Sequence, residues 1–562
     1  MALRFPYLLG LFISLLLSSC VPVAGQQFRP FVQENTAVYT LASKLGIQTW
    51  KRPVAGGIYD ATVNKTFVAW LGENSNSYVQ AFDHATGTWT LPKLVGEVSK
   101  SEYFEGTDSH NYPLLIQADD GHLLMFYAEH SSELRLARSQ EPHSMDAWTD
   151  SSIPEGITAS YPIPLKTKGG DIYVFFRESS FFIEKGLVPD DRPMQYILSS
   201  DNGKTWKNAK DITGEKIALG SWDRPDNLDE IYMGQARYQP RIGFFIPERI
   251  HLVWTLAGGG PEGPKHDRYH KDVYYAYFRP INKHFYCAGG QDKGKSLDAD
   301  EMADCLVEDT GPLNKSTPQS VSYIQLVHYT NKGNPIVIYE VNRGNGSTMR
   351  SATWNGKEWL HSDVPTEGFI LDMEKTGPES FTFYAGRGQI FAYTTDNAGQ
   401  DWQLDYSFSL PENKRVVKLN VIDDYKEPAH FLITEATTDM FPSADVFIAG
   451  KASCLQTGSY QIATPESDFL SIADRKLALT DDTEKASQWR ITELDGYCSL
   501  ENEADKSSLE LETGQAASWL IIGASDGQVQ LFETKSEQYL NDDLSFSAEA
   551  NETSYWRLEP LK

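Results

Sequence analysis

Cysteine is scarce in this chain, five in 562 residues, so no disulfide-dense miniature scaffold is encoded and stability must come from apolar burial. Basic residues are outnumbered, 50 Lys and Arg against 77 Asp and Glu, for a formal charge of −27. No cationic stripe is left to neutralise phosphates, which excludes a nucleic-acid partner. Long apolar runs are missing as well. The one run that stands out, Tyr7 to Leu17, is too short for a stable membrane span. Flanked by Met-Ala-Leu-Arg and by Leu17-Ser18-Ser19-Cys20, it reads as a secretory leader over 1–25. Two readings of its processing stay open: cleavage before Gln26, or a lipoprotein signal ending before Cys20, which would leave a lipid anchor there. The mature protein is expected outside the cytoplasm, secreted or anchored at the cell surface, as a monomer without a transmembrane segment.

Setting Cys20 aside, the cysteines form an even set, Cys287 and Cys305 in one place, Cys454 and Cys498 in another. In an oxidising compartment two disulfides within these pairs are the simplest reading. A zinc site built from Cys287, Cys305 and either His270 or His284 is the alternative, and a structural calcium or zinc ion stays open.

What the sequence does have is a recurring paragraph from residue 54 to 450. An apolar strand is followed by a turn, a second strongly apolar strand, and an edge strand closing in Trp or Tyr. The second strands align at 66–70, 123–127, 172–176, 250–254, 335–339, 389–393 and 430–434. Each is short and rich in β-branched and aromatic residues, and its near-continuous apolarity fits a strand buried on both faces. Ser199-Ser200-Asp201-Asn202-Gly203-Lys204-Thr205-Trp206 is a complete Asp-box turn. Weaker versions stand at Asp83 to Trp89, Trp354 to Trp359 and Thr395 to Trp402. The expected fold is all-β, a seven-bladed β-propeller over 27–453.

Beyond residue 454 the rhythm changes. Trp489, Trp519 and Trp556 end three similar segments. A threefold repeat of that kind predicts a β-trefoil-like domain over 454–562, either sugar-binding or a structural cap.

In a propeller the innermost strands line one channel, so equivalent residues of successive blades converge. The inner-strand starts carry Tyr59, His110, Tyr161 and Tyr232, and the strands that follow switch from apolar to charged at His130 and Arg177. Singly, each has an ordinary structural explanation, such as a strand-end hydrogen bond, an ion pair of Arg177 with Glu178 or Glu129, or ring packing. Jointly they place titratable rings and a cation at one rim. An acidic polysaccharide approaching so anionic a protein needs such a local cluster of Arg and His. His266 and His270 lie in a charged loop, 265–272, and could add substrate contacts or a metal ligand.

Three stretches, Asp108-Ser109-His110-Asn111-Tyr112-Pro113, Ala128-Glu129-His130-Ser131 and Ser160-Tyr161-Pro162 with Arg177 following, carry a family resemblance. In pattern and spacing the chain resembles the BNR-repeat polysaccharide lyases, among them ulvan lyases and rhamnose-glucuronate lyases. The resemblance implies a catalytic set of His110, His130, Tyr161 and Arg177, with Tyr232 carried over toward substrate; Tyr59 from the inner-strand pattern and His270 from the charged loop are the further candidates for substrate contact. It also implies β-elimination at C4 of a glucuronate or iduronate, giving an unsaturated uronate. Removing the C5 proton needs a base of suitable pKa, and the enediolate needs cations. His110 as base, Tyr161 as acid, and His130 with Arg177 as carboxylate binders fit, with the His110 and Tyr161 roles open to exchange. No cofactor is required. A sialidase would need an early arginine signature, and the first arginines after the leader, Arg29 and Arg52, stand outside the inner-strand pattern. A non-catalytic sugar-binding propeller is the alternative from another class.

Overall fold

The computed structural model describes the chain over 30–560, apart from interior stretches of which 98–107, 179–191, 503–518 and 548–555 are the longest. The leader, Cys20 and Cys454 lie outside the described residues, and with them the expected lipid anchor and the bridge to Cys498. The molecule is all-β. The longest helix among the described residues is the five-residue Ala209–Thr213, so none is long and apolar enough to cross a membrane.

Up to residue 451 the strands form seven successive antiparallel units of at least four strands each, counted by their own first strands: Gly57–Asp60, Leu114–Gln117, Ala159–Lys166, Glu230–Gln239, Leu326–Tyr329, Phe369–Lys375 and Arg415–Lys426. Each first strand lies against the next, and the seventh lies against the first, so the seven make a ring. The second strands explain the sequence pattern. Leu123–Tyr127 and Ile172–Glu178 are buried at every position, because each is sandwiched between neighbouring units. Fourth strands such as Trp148–Ser152 and Trp359–Asp363 are largely exposed. Six of the seven expected second strands hold that place. The exception is 389–393, which falls in Ile390–Thr395, the third strand of the sixth unit; its second strand is Phe381–Gly386. Two equally apolar runs flank the Arg387-Gly388 turn, and periodicity alone does not rank them.

The Asp-box sits between third and fourth strands. Asp201 accepts from the backbone N–H of Lys204 and Thr205 and from the Thr205 hydroxyl, while Gly203 takes φ 78°, a conformation open to glycine. Trp206 then meets Phe126 of the preceding unit edge-on, ring centroids 5.8 Å apart. Closure is made by the other end of the chain: Thr36–Ile47 pairs with Ser443–Lys451 and serves as the fourth strand of the seventh unit.

From Gly458 to Pro560 a separate sheet closes on itself. Trp556–Pro560 pairs with both Gly458–Ala463 and Gln528–Glu533, completing a circuit of six strands. The buried Trp489 and Trp556 donate their indole N–H to the carbonyls of Leu470 and Leu540, at 3.2 and 2.9 Å, which are equivalent roles in two of the repeats.

The zinc expectation at Cys287 and Cys305 is overturned. The two form a disulfide, which leaves no thiolate for a metal. His284 instead pairs with Asp292, and His270 belongs to the cluster described next.

Candidate active site

The starts of the first strands and the ends of the second strands meet at one end of the ring, and most of the expected residues gather there. His110 lies in the turn before Leu114–Gln117, and His130 follows Leu123–Tyr127. One carboxylate organises both. Asp108, almost wholly buried, accepts from His110 Nδ1 through one oxygen at 2.5 Å and from His130 Nδ1 through the other. An ionised carboxylate only accepts, so both Nδ1 atoms carry protons and each neutral ring keeps its lone pair on Nε2. The two imidazoles stack 4.0 Å apart, and both stay partly open to solvent, at 22% and 15% side-chain exposure. Burial works against the charge of Asp108, but the two imidazole hydrogen bonds outweigh it and hold the carboxyl well below its ordinary range. For His130, burial prevails and lowers its proton affinity despite Asp108.

Tyr161 owes its position to a bulge. The pairing of Ala159–Lys166 with Ile172–Glu178 is regular at Ser160 with Arg177, then slips before Ile163. Within the slip Tyr161 takes φ 53°, a left-handed conformation costly for a bulky residue. Bulges re-aim a side chain, and this one turns the phenol toward His110, ring centroids 5.8 Å apart. From Tyr161 the rings continue to Tyr232 at 6.1 Å, then His270 at 4.9 Å and Tyr323 at 5.0 Å.

Arg177 closes its strand inside this group, with its guanidinium carbon 4.7 Å from the Tyr161 centroid and 4.3 Å from that of Tyr232. It is 1% exposed; its nearest carboxylate oxygen is Glu230 Oε2 at 3.9 Å, and its Nε and Nη1 hydrogen-bond to nothing among the described residues. Glu178, which the sequence offers as a partner, instead takes Lys216 and Gln195. His270 is fully buried, joined to Asp267 through Nε2. His266 is held outside it by Glu230 at 2.8 Å. Tyr59 does not join the group: it pairs with Thr66 beside its hairpin turn, whereas Ser160 pairs with Arg177 at the far end of theirs. Its hydroxyl bonds Asn64 and its ring meets His84.

Two residues absent from the sequence-based set are central. One is Asp108. The other is Arg52, completely buried, its guanidinium carbon 4.2 Å from the Tyr161 centroid. Asp108, His110 and His130 are also the one group among the described residues whose ligand atoms converge, within 4.8 Å of one another, in the manner of a metal site. Both Nδ1 atoms are already committed to the carboxylate, so the arrangement is complete as a hydrogen-bonded unit.

A BNR repeat-containing family model matches residues 65–366, more than half of the chain. The chain belongs to the BNR repeat-containing family. Among curated relatives it is similar to Ulvan Lyase-PL25 of Pseudoalteromonas sp. (strain PLSV), 23% identical over 446 residues, which covers 74% of this chain and 84% of that protein. An ulvan lyase of Alteromonas sp. (strain LOR) is 23% identical over 441 residues, 71% of this chain and 82% of that one. Both relatives support a polysaccharide lyase as the enzyme class. Among solved structures, a PL25 ulvan lyase bound to -[GlcA(1-4)Rha3S]- superposes with a TM-score of 0.57 at 19% identity, over 73% of this chain and 96% of that one. That likeness is one of fold.

Proposed function

We propose that this protein is an exported polysaccharide lyase that cleaves the glycosidic bond at C4 of a uronic acid by β-elimination, with an ulvan-type glycan as its substrate. The observation that carries the reading is the single cluster in which two imidazoles bonded through Nδ1 to one carboxylate, a phenol and a buried guanidinium adjoin. On this reading His110 Nε2 takes the C5 proton. The C5–H electrons form the C4–C5 double bond while the C4–O bond breaks, and Tyr161 gives its phenolic proton to the departing oxygen. His130 binds the uronate carboxylate, which supplies the anion that lets its ring hold a second proton. Arg177 acts through the dry pocket, where its charge is weakly screened, on the negative charge that builds during the reaction. Tyr232 and His270 extend the binding face. The seven units are on this reading the blades of a propeller over 27–453, and the six-strand circuit with its hairpins is a β-trefoil over 454–562.

The test is absorbance near 235 nm during incubation with uronate polysaccharides, ulvan first. A rise that His110→Ala and Arg177→Ala each abolish without unfolding the protein is the expected result. No rise across a broad panel of acidic glycans overturns the reading in favour of a non-catalytic sugar-binding protein.

A further inference from the structure

Arg52 enters the site from outside the repeat, on the segment that links the closing strand Thr36–Ile47 to the first unit. A fully buried arginine is unusual unless paired. Here Nη1 donates to the Met233 carbonyl, and Nε and Nη2 have no hydrogen-bond partner among the described residues. No carboxylate among them forms an ion pair with it. What it does have is aromatic: Tyr161 at 4.2 Å and Tyr232 at 5.9 Å from the guanidinium carbon. Arg177 stands over the same two rings at 4.7 and 4.3 Å. Tyr161 is thus attended by two buried cations, each with two guanidinium nitrogens that have no hydrogen-bond partner among the described residues. While the phenol is neutral their mutual repulsion is offset on the Arg177 side by Glu230 at 3.9 Å, and Arg52 has no carboxylate of its own among the described residues.

We infer that Arg52 is a positioning residue for the elimination, holding the charge that appears on Tyr161 when its phenol gives up its proton. This rests on the proposed lyase reading and adds to it. As the C4–O bond breaks, the phenolic proton moves to the leaving oxygen and Tyr161 becomes a phenolate next to Arg52 and Arg177. Arg52, which has no ion pair among the described residues, and Arg177, whose carboxylate partner Glu230 stands 3.9 Å away, then gain an adjoining anion, so the stabilisation is larger in the transition state than in the resting enzyme, which is the condition for raising kcat. The proton taken up by His110 afterwards restores the phenol through solvent, and the cycle balances. Burial raises the proton affinity of Tyr161 while Arg177 and Arg52 both oppose it, as expected of groups that favour the phenolate.

The test compares R52Q, which keeps a donor for the Met233 carbonyl without the charge, with R52K, which keeps the charge. Expected is a fall in kcat of about 10-fold or more for R52Q at nearly unchanged KM, a smaller fall for R52K, and no further loss when R52Q is added to Y161F. A uronoside carrying a 4-O-nitrophenyl group, which leaves without a proton, should restore R52Q toward wild type. Wild-type kcat in R52Q, equal losses in the two variants, a loss confined to KM, or no recovery on the activated substrate each overturns the role. If R52Q does not fold, R52K decides alone: a kcat as low as that of Y161F, with the fold intact, refutes it. A wild-type enzyme inert toward all uronates fails the lyase reading itself and is recognised before any variant is made.

Discussion

Replacing Asp108 by Asn tests the core of the site with the smallest change of shape. The carboxylate now accepts one Nδ1–H on each oxygen. Asparagine has one accepting oxygen, and its amide nitrogen donates, so one of the two rings must move its proton from Nδ1 to Nε2 or lose its bond. On the proposed mechanism a ring so changed no longer presents a lone pair to the substrate, and the remaining ring loses the anion behind it. Hydrogen bonds to charged groups are worth about 1.5–3 kcal/mol each, and general-base catalysis about 10²–10⁴ in rate. The expected fall in kcat is therefore about 10²–10³, or roughly 2.7–4.1 kcal/mol at 1.36 kcal/mol per decade. KM should move less. Initial rates at 235 nm give kcat, and ¹⁵N spectra of labelled imidazoles report which nitrogen carries the proton. D108N retaining half of the wild-type kcat, or showing Nδ1–H on both rings, would refute the reasoning.

Four further outcomes follow from the scaffold. Asp201→Ala removes four hydrogen bonds from the complete turn and should cost about 1–2 kcal/mol in denaturant unfolding; an unchanged midpoint would show the turn to be held by Gly203 and Trp206 alone. Reduction of Cys287–Cys305, separated by 18 residues, should lower stability by about 3 kcal/mol on loop-closure grounds. Chelators should leave stability untouched, and a chelator-induced fall in Tm would restore the zinc reading. Acid should weaken the fold well above the carboxylate range. Burial holds His130, His251 and His328 below the ordinary imidazole value and His84 at about 4. The unfolded chain therefore binds these protons first, and stability falls as pH drops from about 6.5. His430, raised by Glu374 and Glu427 against the effect of burial, works the other way. A Tm that is flat between pH 7 and 4.5 would contradict the balance.

The repeat was readable because burial on both faces forces second strands such as 172–176 to be continuously apolar, and because turn chemistry is local at Ser199 to Trp206. His110, His130, Tyr161 and Arg177 were readable for the same reason, since each stands at a fixed place in its unit. Arg52 was not, because it lies in a connector with no equivalent in the other units; only its isolation between an apolar strand and the first repeat singles it out. Asp108 was visible as a letter of a motif, but its grip on a ring 22 residues away depends on the loop after 123–127. The bulge at Tyr161 left no periodic trace, and neither did the burial of His270, which sits in a run that reads as a charged loop. Tyr59 shows the converse error: a matching letter in a hairpin too short to carry it to the site.

The pairing of Thr36–Ile47 with Ser443–Lys451 joins segments about 400 residues apart in sequence, and Arg52 follows directly from the first of them. Such distant contacts form late in folding and slowly. On the proposed reading the site is therefore completed only when the seventh unit has captured Thr36–Ile47. Chains caught before closure would carry both histidines, Asp108 and Arg177, assembled from neighbouring residues, yet lack Arg52, one of the two buried cations at Tyr161. During refolding, recovery of turnover should lag behind recovery of sheet signal by the time needed to close the ring.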